Sequence, residues 1–211
     1  IRLYDTWSSY RPENQGVVIA YASMYGNTKE AALLLAGMLE EKGEKVSVFD
    51  LARDDMAEAV EDAFRYDRLV LAAPTYNAGV FPVMKEFIHH LTERNYQSRT
   101  VALIENGSWA PTAAKVMRGM LEGSKNLTFA DTTVRILSAL NDDSRAQIDA
   151  LAEAAFTQGE VEVKDERWTY EEICGMDFRV VLGYSCYVYD EAAGGYTDLR
   201  EPQAGLRYLY D

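Results

Sequence analysis

A chain of 211 residues, 48% of them hydrophobic, has room for one ordinary core and an appendage. Its formal charge of −13 repels nucleic acid and anionic membrane, and suits basic protein partners or simple solubility. No apolar run is long enough to cross a bilayer and no signal peptide is visible. Two cysteines make no disulfide framework, so a reducing cytoplasm is the expected setting. The chain starts at Ile1 without a methionine, which reads as a trimmed or partial sequence.

Residues 1–16, with Tyr4, Trp7, Ser8 and Pro12, show no clear period and read as a leader or linker. From residue 17 onward, strand-like and helix-like segments alternate. Strands are expected at 17–22, 45–50, 68–73, 100–105 and 132–137. Helices are expected near 28–42, 56–66, 82–95, 112–122 and 143–158. The first four strands are apolar without in/out alternation, so they should be buried on both faces. Five strand–helix units predict an α/β doubly wound parallel sheet of order 2-1-3-4-5 over residues 17–158. Ligands of such sheets lie at the carboxyl ends of the strands, so the loops after strands one, three and four are the ones to read for function.

The first of these loops is Ser23-Met24-Tyr25-Gly26-Asn27-Thr28, between an apolar strand and a helix start. Its hydroxyl and amide side chains fall where the first N–H groups of the helix are unpaired, a corner suited to a phosphate. The triphosphatase loop needs a Gly-Lys-Ser/Thr ending and the dinucleotide loop needs three spaced glycines; neither is present. Two further loops, Pro74-Thr75-Tyr76-Asn77-Ala78-Gly79 and Asn106-Gly107-Ser108-Trp109-Ala110, combine small residues with a large aromatic. Small residues let backbone approach a ligand, and the aromatics suit the faces of a flat ring. The plainer reading of Tyr76 and Trp109 is that they cover the end of the core. Tyr25 either lines the site or packs outward.

The pattern Ser-x-x-Gly-Asn-Thr after the first strand looks like the flavodoxin loop that holds the phosphate of FMN. Taken together, the three loops and the Phe81-Pro82 that follows the second resemble the flavodoxin domain of flavodiiron proteins (A-type flavoproteins). The leader, with Tyr4 and Trp7-Ser8, is similar to that family's inter-domain linker. The resemblance implies FMN as cofactor, with the phosphate on Ser23–Thr28 and the ring between the Tyr76 and Trp109 loops. It also implies a redox partner: a diiron domain or protein, a rubredoxin or a reductase. In that family a separate domain carries the diiron site, and head-to-tail dimers bring FMN of one subunit to iron of the other. His89 and His90, the only histidines here, point about 100° apart on a helix and cannot form a multi-histidine iron site. An FMN electron carrier with no catalytic or metal-binding residue of its own is the expectation. A homodimer is left open.

After Gln158 the composition shifts. Residues 159–211 hold seven of the 14 tyrosines, and 5 Lys+Arg against 12 Asp+Glu give −7 of the total charge. Residues 179–189 are strand-like and 190–195 read as a turn, so a small β-rich extension used for packing or docking is expected. Arg167-Trp168-Thr169 with Ile173-Cys174-Gly175 is similar to the start of a rubredoxin. Iron there needs two Cys-x-x-Cys pairs, and Cys174 and Cys186 are not so spaced. Leu182, Tyr184, Tyr187 and Val188 before Gly194-Gly195 resemble the opening of a flavin-reductase domain. Independently of the tail, an NAD(P)H-dependent flavin or quinone reductase on the same α/β fold is the enzyme alternative, although no basic cluster for a 2′-phosphate is evident near the loops. A flavin-free interaction domain is the third.

Overall fold

Val17, Val18, Ile19 and Ala20 have no exposed surface, because the strand that carries them lies inside a sheet covered on both faces. The computed structural model describes residues 2–154, 187–190 and 195–198. In chain order the elements of the first part are α1 (Arg2–Ser8), β1 (Asn14–Tyr21), α2 (Asn27–Glu41), β2 (Val46–Asp50) and α3 (Met56–Arg65). They continue with β3 (Tyr66–Tyr76), β4 (Gly79–Val80), α4 (Pro82–Glu93), β5 (Thr100–Asn106), α5 (Ala113–Met120), β6 (Thr128–Ile136) and α6 (Asp142–Ala154). Five strands run parallel in the order β2-β1-β3-β5-β6, which is 2-1-3-4-5 once the short β4 is set aside.

Side chains alternate across this sheet and feed two cores. Val18, Ala20, Leu69, Leu71, Val101 and Leu103 face α3, α4 and α5, where Met84, Phe87, Ile88 and Leu91 are fully buried. Val17, Ile19, Val70, Ala72, Ala102 and Ile104 face α2 and α6, meeting Leu35, Leu39, Ile148 and Leu151. Each large apolar side chain so buried contributes about 1.5–3 kcal/mol, which makes the sheet the rigid platform for the loops at its ends.

Four expectations need correction. Residues 2–8 form a helix where no period was visible; there Tyr4 packs edge-on against Trp7 and the Trp7 indole donates to Glu13. The third strand runs on through Pro74 to Tyr76, because its last residues pair antiparallel with β4. The fifth parallel strand begins at Thr128 rather than 132, held at its start by the Thr128 N–H to the Arg99 carbonyl. Finally, β2 is only half-buried along its length, since it is the edge strand and α2 and α3 cover it incompletely.

The chain divides into two compact units, Ile1–Gln158 and Gly159–Asp211. In the second, β7 (Tyr187–Asp190) and β8 (Gly195–Asp198) form an antiparallel pair with Tyr187 opposite Asp198. Residues 179–186 of the expected strand, Cys174, Cys186 and the rubredoxin-like segment lie outside the described residues. Among the described residues no helix is long and apolar enough to cross a membrane.

Candidate functional site

Ala22 is the last buried residue of the first strand segment, and the chain then turns outward. Ser23 is half-buried, Met24 and Tyr25 are exposed, and Gly26 takes φ +92°, a left-handed conformation that costs a side-chain-bearing residue. Open space surrounds the position a Cβ would take at Gly26. The Gly26 N–H donates to Ser23 Oγ (3.1 Å) and locks the turn. Gly26, rather than a hydroxyl residue, is the N-cap of α2, and no side chain among the described residues caps that helix end. Its first N–H groups are therefore left facing outward with the positive end of the helix dipole. Thr28 does not act as a cap either. It is 2% exposed and its Oγ1 accepts from Asn106 Nδ2 (3.3 Å).

The loop after β3 is a two-residue hairpin. Thr75 pairs with Val80 and Tyr76 with Gly79, while Asn77 and Ala78 both adopt positive φ, 48° and 56°. That turn lifts Tyr76 to the surface, 47% exposed, with its ring edge-on to Phe81 at 5.7 Å. Beneath it Thr75 Oγ1 accepts from the backbone N–H of Thr112 (2.9 Å) and Ala113 (3.2 Å), tying this loop to the start of α5.

The loop after β5 is pinned at both ends and bare in the middle. The Gly107 N–H donates to the Ile136 carbonyl, and a Cβ on Gly107 would sit 3.2 Å from Pro111. Glu105, just before the loop, is a buried carboxylate whose oxygens accept from the Ala114 N–H (3.0 Å) and Arg135 Nε (2.8 Å). Between these anchors Ser108 and Ala110 are exposed, and Trp109 is 88% exposed with no ring contact among the described residues. Tyr25 is similarly bare at 86%. The three loops are thus tied together through Asn106, which reaches Thr28, and Thr75, which holds the end of the third loop, while the aromatics they carry do not pack on one another.

A fourth loop, absent from the sequence reading, closes the group. After β6, Ser138 takes φ 73°, donates its N–H to Asn106 Oδ1 (3.2 Å) and accepts from Asn106 Nδ2 through its carbonyl (3.0 Å). The rule that ligands sit at carboxyl ends of strands was the only available signal for it. On the other flank Tyr21 donates to Asp50 Oδ2, and burial, with the Asp50 charge second, pushes its phenol up to about 12. His89 and His90 lie on α4, His89 beside Glu93, and no group of three or more metal-binding side chains occurs among the described residues.

A hollow of about 460 Å³ lies elsewhere, beyond the C-terminal ends of α4 and α5, lined by Tyr10, Tyr96, Met120 and Lys125 among others. It precedes the strands rather than following them and has no helix N-terminus to meet a phosphate. The loop cluster is the better site on chemical grounds.

A family model described as "Flavodoxin domain" matches residues 18–135. The anaerobic nitric oxide reductase flavorubredoxin of Escherichia coli O1:K1 / APEC is 23% identical over 112 residues, covering 52% of this chain and 23% of that protein. The rubredoxin oxygen:oxidoreductase of Desulfovibrio gigas superposes with TM-score 0.68 at 19% identity, over 73% of this chain and 38% of that one. Oxidised flavodoxin 1 from Bacillus cereus superposes with TM-score 0.58 at 19% identity, over 65% and 95%. The chain therefore spans about a quarter of the length of the curated relative, and most of a free-standing flavodoxin.

Proposed function

The chain belongs to the flavodoxin-domain family, and from that premise we propose that it binds FMN and carries electrons to or from a protein partner. One observation carries the reading: a helix N-terminus with no side-chain cap, opened by Gly26 at φ +92° and flanked by the hydroxyls of Ser23 and Thr28. The donor set fits a terminal phosphate. Among the described residues nothing lies within 4 Å of the Cβ position at Gly26, and the N-terminal end of α2 has no side-chain cap.

When bound, the flavin supplies the redox chemistry. The protein's own part is to hold and tune it. Ser23, Thr28 and the α2 backbone hold the phosphate; the loops of 74–79 and 106–110 present backbone to the polar edge of the ring. Trp109 and Tyr76 offer faces for stacking, with Tyr25 and Met24 at the margin. The net negative charge of the unit that holds the site, −13 for the chain less −7 for residues 159–211, or −6, opposes added electron density, which makes the flavin a stronger reductant. The partner is a soluble redox protein in the cytoplasm, of the diiron, rubredoxin or reductase class. Purified protein should be yellow, with the absorption bands of oxidised flavin. A colourless chain that takes up no FMN on titration would overturn the assignment. NADPH or NADH alone should not bleach the flavin, since rapid bleaching belongs to the reductase alternative.

Trp109→Ala should weaken FMN binding roughly tenfold, the loss of about 1–1.5 kcal/mol of ring stacking. It should also restore flavin fluorescence that the indole quenches. Unchanged fluorescence of the bound flavin would remove Trp109 from the ring. Residues 17–158 are proposed as the FMN unit and 159–211 as an appended piece. A chain ending at Gln158 should accordingly bind FMN as tightly as the whole chain, measured on folded protein; a large loss would place part of the tail at the flavin.

A further inference from the structure

Asn106 lies in the loop that carries Trp109, where a contact with the flavin ring is the natural expectation. Its side chain does not reach that way. It is buried, and its amide is consumed by three hydrogen bonds to two other loops. Oδ1 accepts from the Ser138 N–H while Nδ2 donates to the Ser138 carbonyl, so the amide has one orientation; flipping it would set donor against donor and acceptor against acceptor. The remaining amide hydrogen is directed at Thr28 Oγ1.

That contact has a consequence for the hydroxyl. Thr28 Oγ1 acts as acceptor toward Asn106, so its own hydrogen must point elsewhere. No acceptor for it occurs among the described residues, although the side chain is all but fully buried. A buried hydroxyl with an undonated hydrogen is costly unless something arrives to accept it. Thr28 is the second residue of α2, beside the open N–H groups of the helix end. The acceptor class that fits this corner is a phosphate oxygen.

We propose that Asn106, acting through Thr28, is the residue that selects a phosphorylated flavin over an unphosphorylated one. It works from the far side of β3, by holding the Thr28 hydroxyl as a donor toward the phosphate corner. The β6 loop takes part because Ser138 fixes the amide. This rests on the FMN reading above and assigns Asn106 a place at the phosphate end instead of the ring end.

The test is a double-mutant cycle on the full-length apoprotein with Asn106→Ala, Thr28→Val and both together, each titrated with FMN and with riboflavin. The quantity read is the ratio of the riboflavin to the FMN dissociation constant. Thr28→Val should lower that ratio roughly tenfold or more, as expected for a hydrogen bond to a charged group. Asn106→Ala should lower it by a comparable factor, and the double variant no further, because both changes remove one interaction. A merely structural Asn106 would weaken both flavins equally and leave the ratio alone, and that result overturns the proposal. So does additivity of the two changes. If Asn106→Ala is too unstable to titrate, the isosteric Asn106→Asp enters the same cycle, and its effect on the ratio should shrink in the Thr28→Val background. A wild-type chain that binds riboflavin and FMN alike overturns the phosphate corner, whereas one that binds neither overturns the flavin assignment itself.

Discussion

Replacing Ser23 and Thr28 together by alanine is expected to weaken FMN binding roughly 10²- to 10⁴-fold, since each hydroxyl bonded to a charged group contributes about 1.5–3 kcal/mol. The two hydroxyls differ in kind. Ser23 Oγ already accepts from the Gly26 N–H, so its own hydrogen is free to donate, and its loss also loosens the turn that sets Gly26 at φ +92°. Thr28 is buried and engaged by Asn106, so its loss leaves one amide hydrogen of Asn106 without a partner. Neither contact touches the ring. Riboflavin affinity should therefore stay within about threefold of the parent, since a substitution away from a contact shifts free energy by about 0.5 kcal/mol or less. Titration of apoprotein with both ligands reads the two effects separately. A parallel loss of FMN and riboflavin would mean that the substitutions had damaged the fold of the loop, and no loss at all would mean that the phosphate sits elsewhere.

The β1–α2 corner was legible because three local signals coincide there: an apolar run, a lone glycine between polar residues, and a helical period that follows directly. The sheet order was legible for a similar reason, since Val17–Ala20, Leu69–Leu71 and Val101–Leu103 are apolar at every position and only a doubly covered sheet accommodates that. Local rules failed where pairing partners decide the outcome. Pro74 reads as a strand end, yet β3 continues past it because Thr75 and Tyr76 find antiparallel partners in β4. Residues 128–131 lack an apolar run, yet they extend because β5 offers an edge to pair with. The half-burial of β2 follows from its place at the edge, which no property of Val46–Asp50 announces.

The site shows the same division. The residue types for a phosphate and a flat ring can be read in the loops, whereas the way the loops are fastened cannot. Asn106 reaches Thr28 across 78 positions and Ser138 across 32, and these contacts exist only because β1, β3, β5 and β6 end side by side. Glu105 looks like a stray charge in an apolar strand until Arg135 and the start of α5 are brought to it. Chemistry was local, and positioning was topological.

Arg99→Met is expected to lower stability by about 3–5 kcal/mol, or roughly 6–20 °C in Tm for a chain of this size, while leaving FMN affinity of the folded protein unchanged. Arg99 is 4% exposed and immediately precedes β5, at the end of the sheet opposite the loop cluster. Its guanidinium donates to five backbone carbonyls: Nε to Tyr66, Nη1 to Tyr10, Gln97 and Ser98, and Nη2 to Phe64. These belong to the segment after α1, the end of α3, the start of β3 and the approach to β5, so one side chain stitches four stretches of chain. Among the described residues no carboxylate is hydrogen-bonded to it, and burial pulls its pKa below the ordinary value. The charge is thus costly to bury, and removing it returns part of what the lost hydrogen bonds take away. The balance still favours Arg, because methionine removes the guanidinium donor from all five carbonyls and cannot bridge them. Arg99→Lys should fall between the two, since three donors on a flexible stem cannot serve five acceptors held in a fork. Thermal melts of the three proteins, paired with FMN titration well below each midpoint, separate the effects. A Tm for Arg99→Met within 2 °C of the parent would show that water or rearranged backbone satisfies those carbonyls, and a selective loss of FMN affinity would show that the two ends of the sheet are coupled.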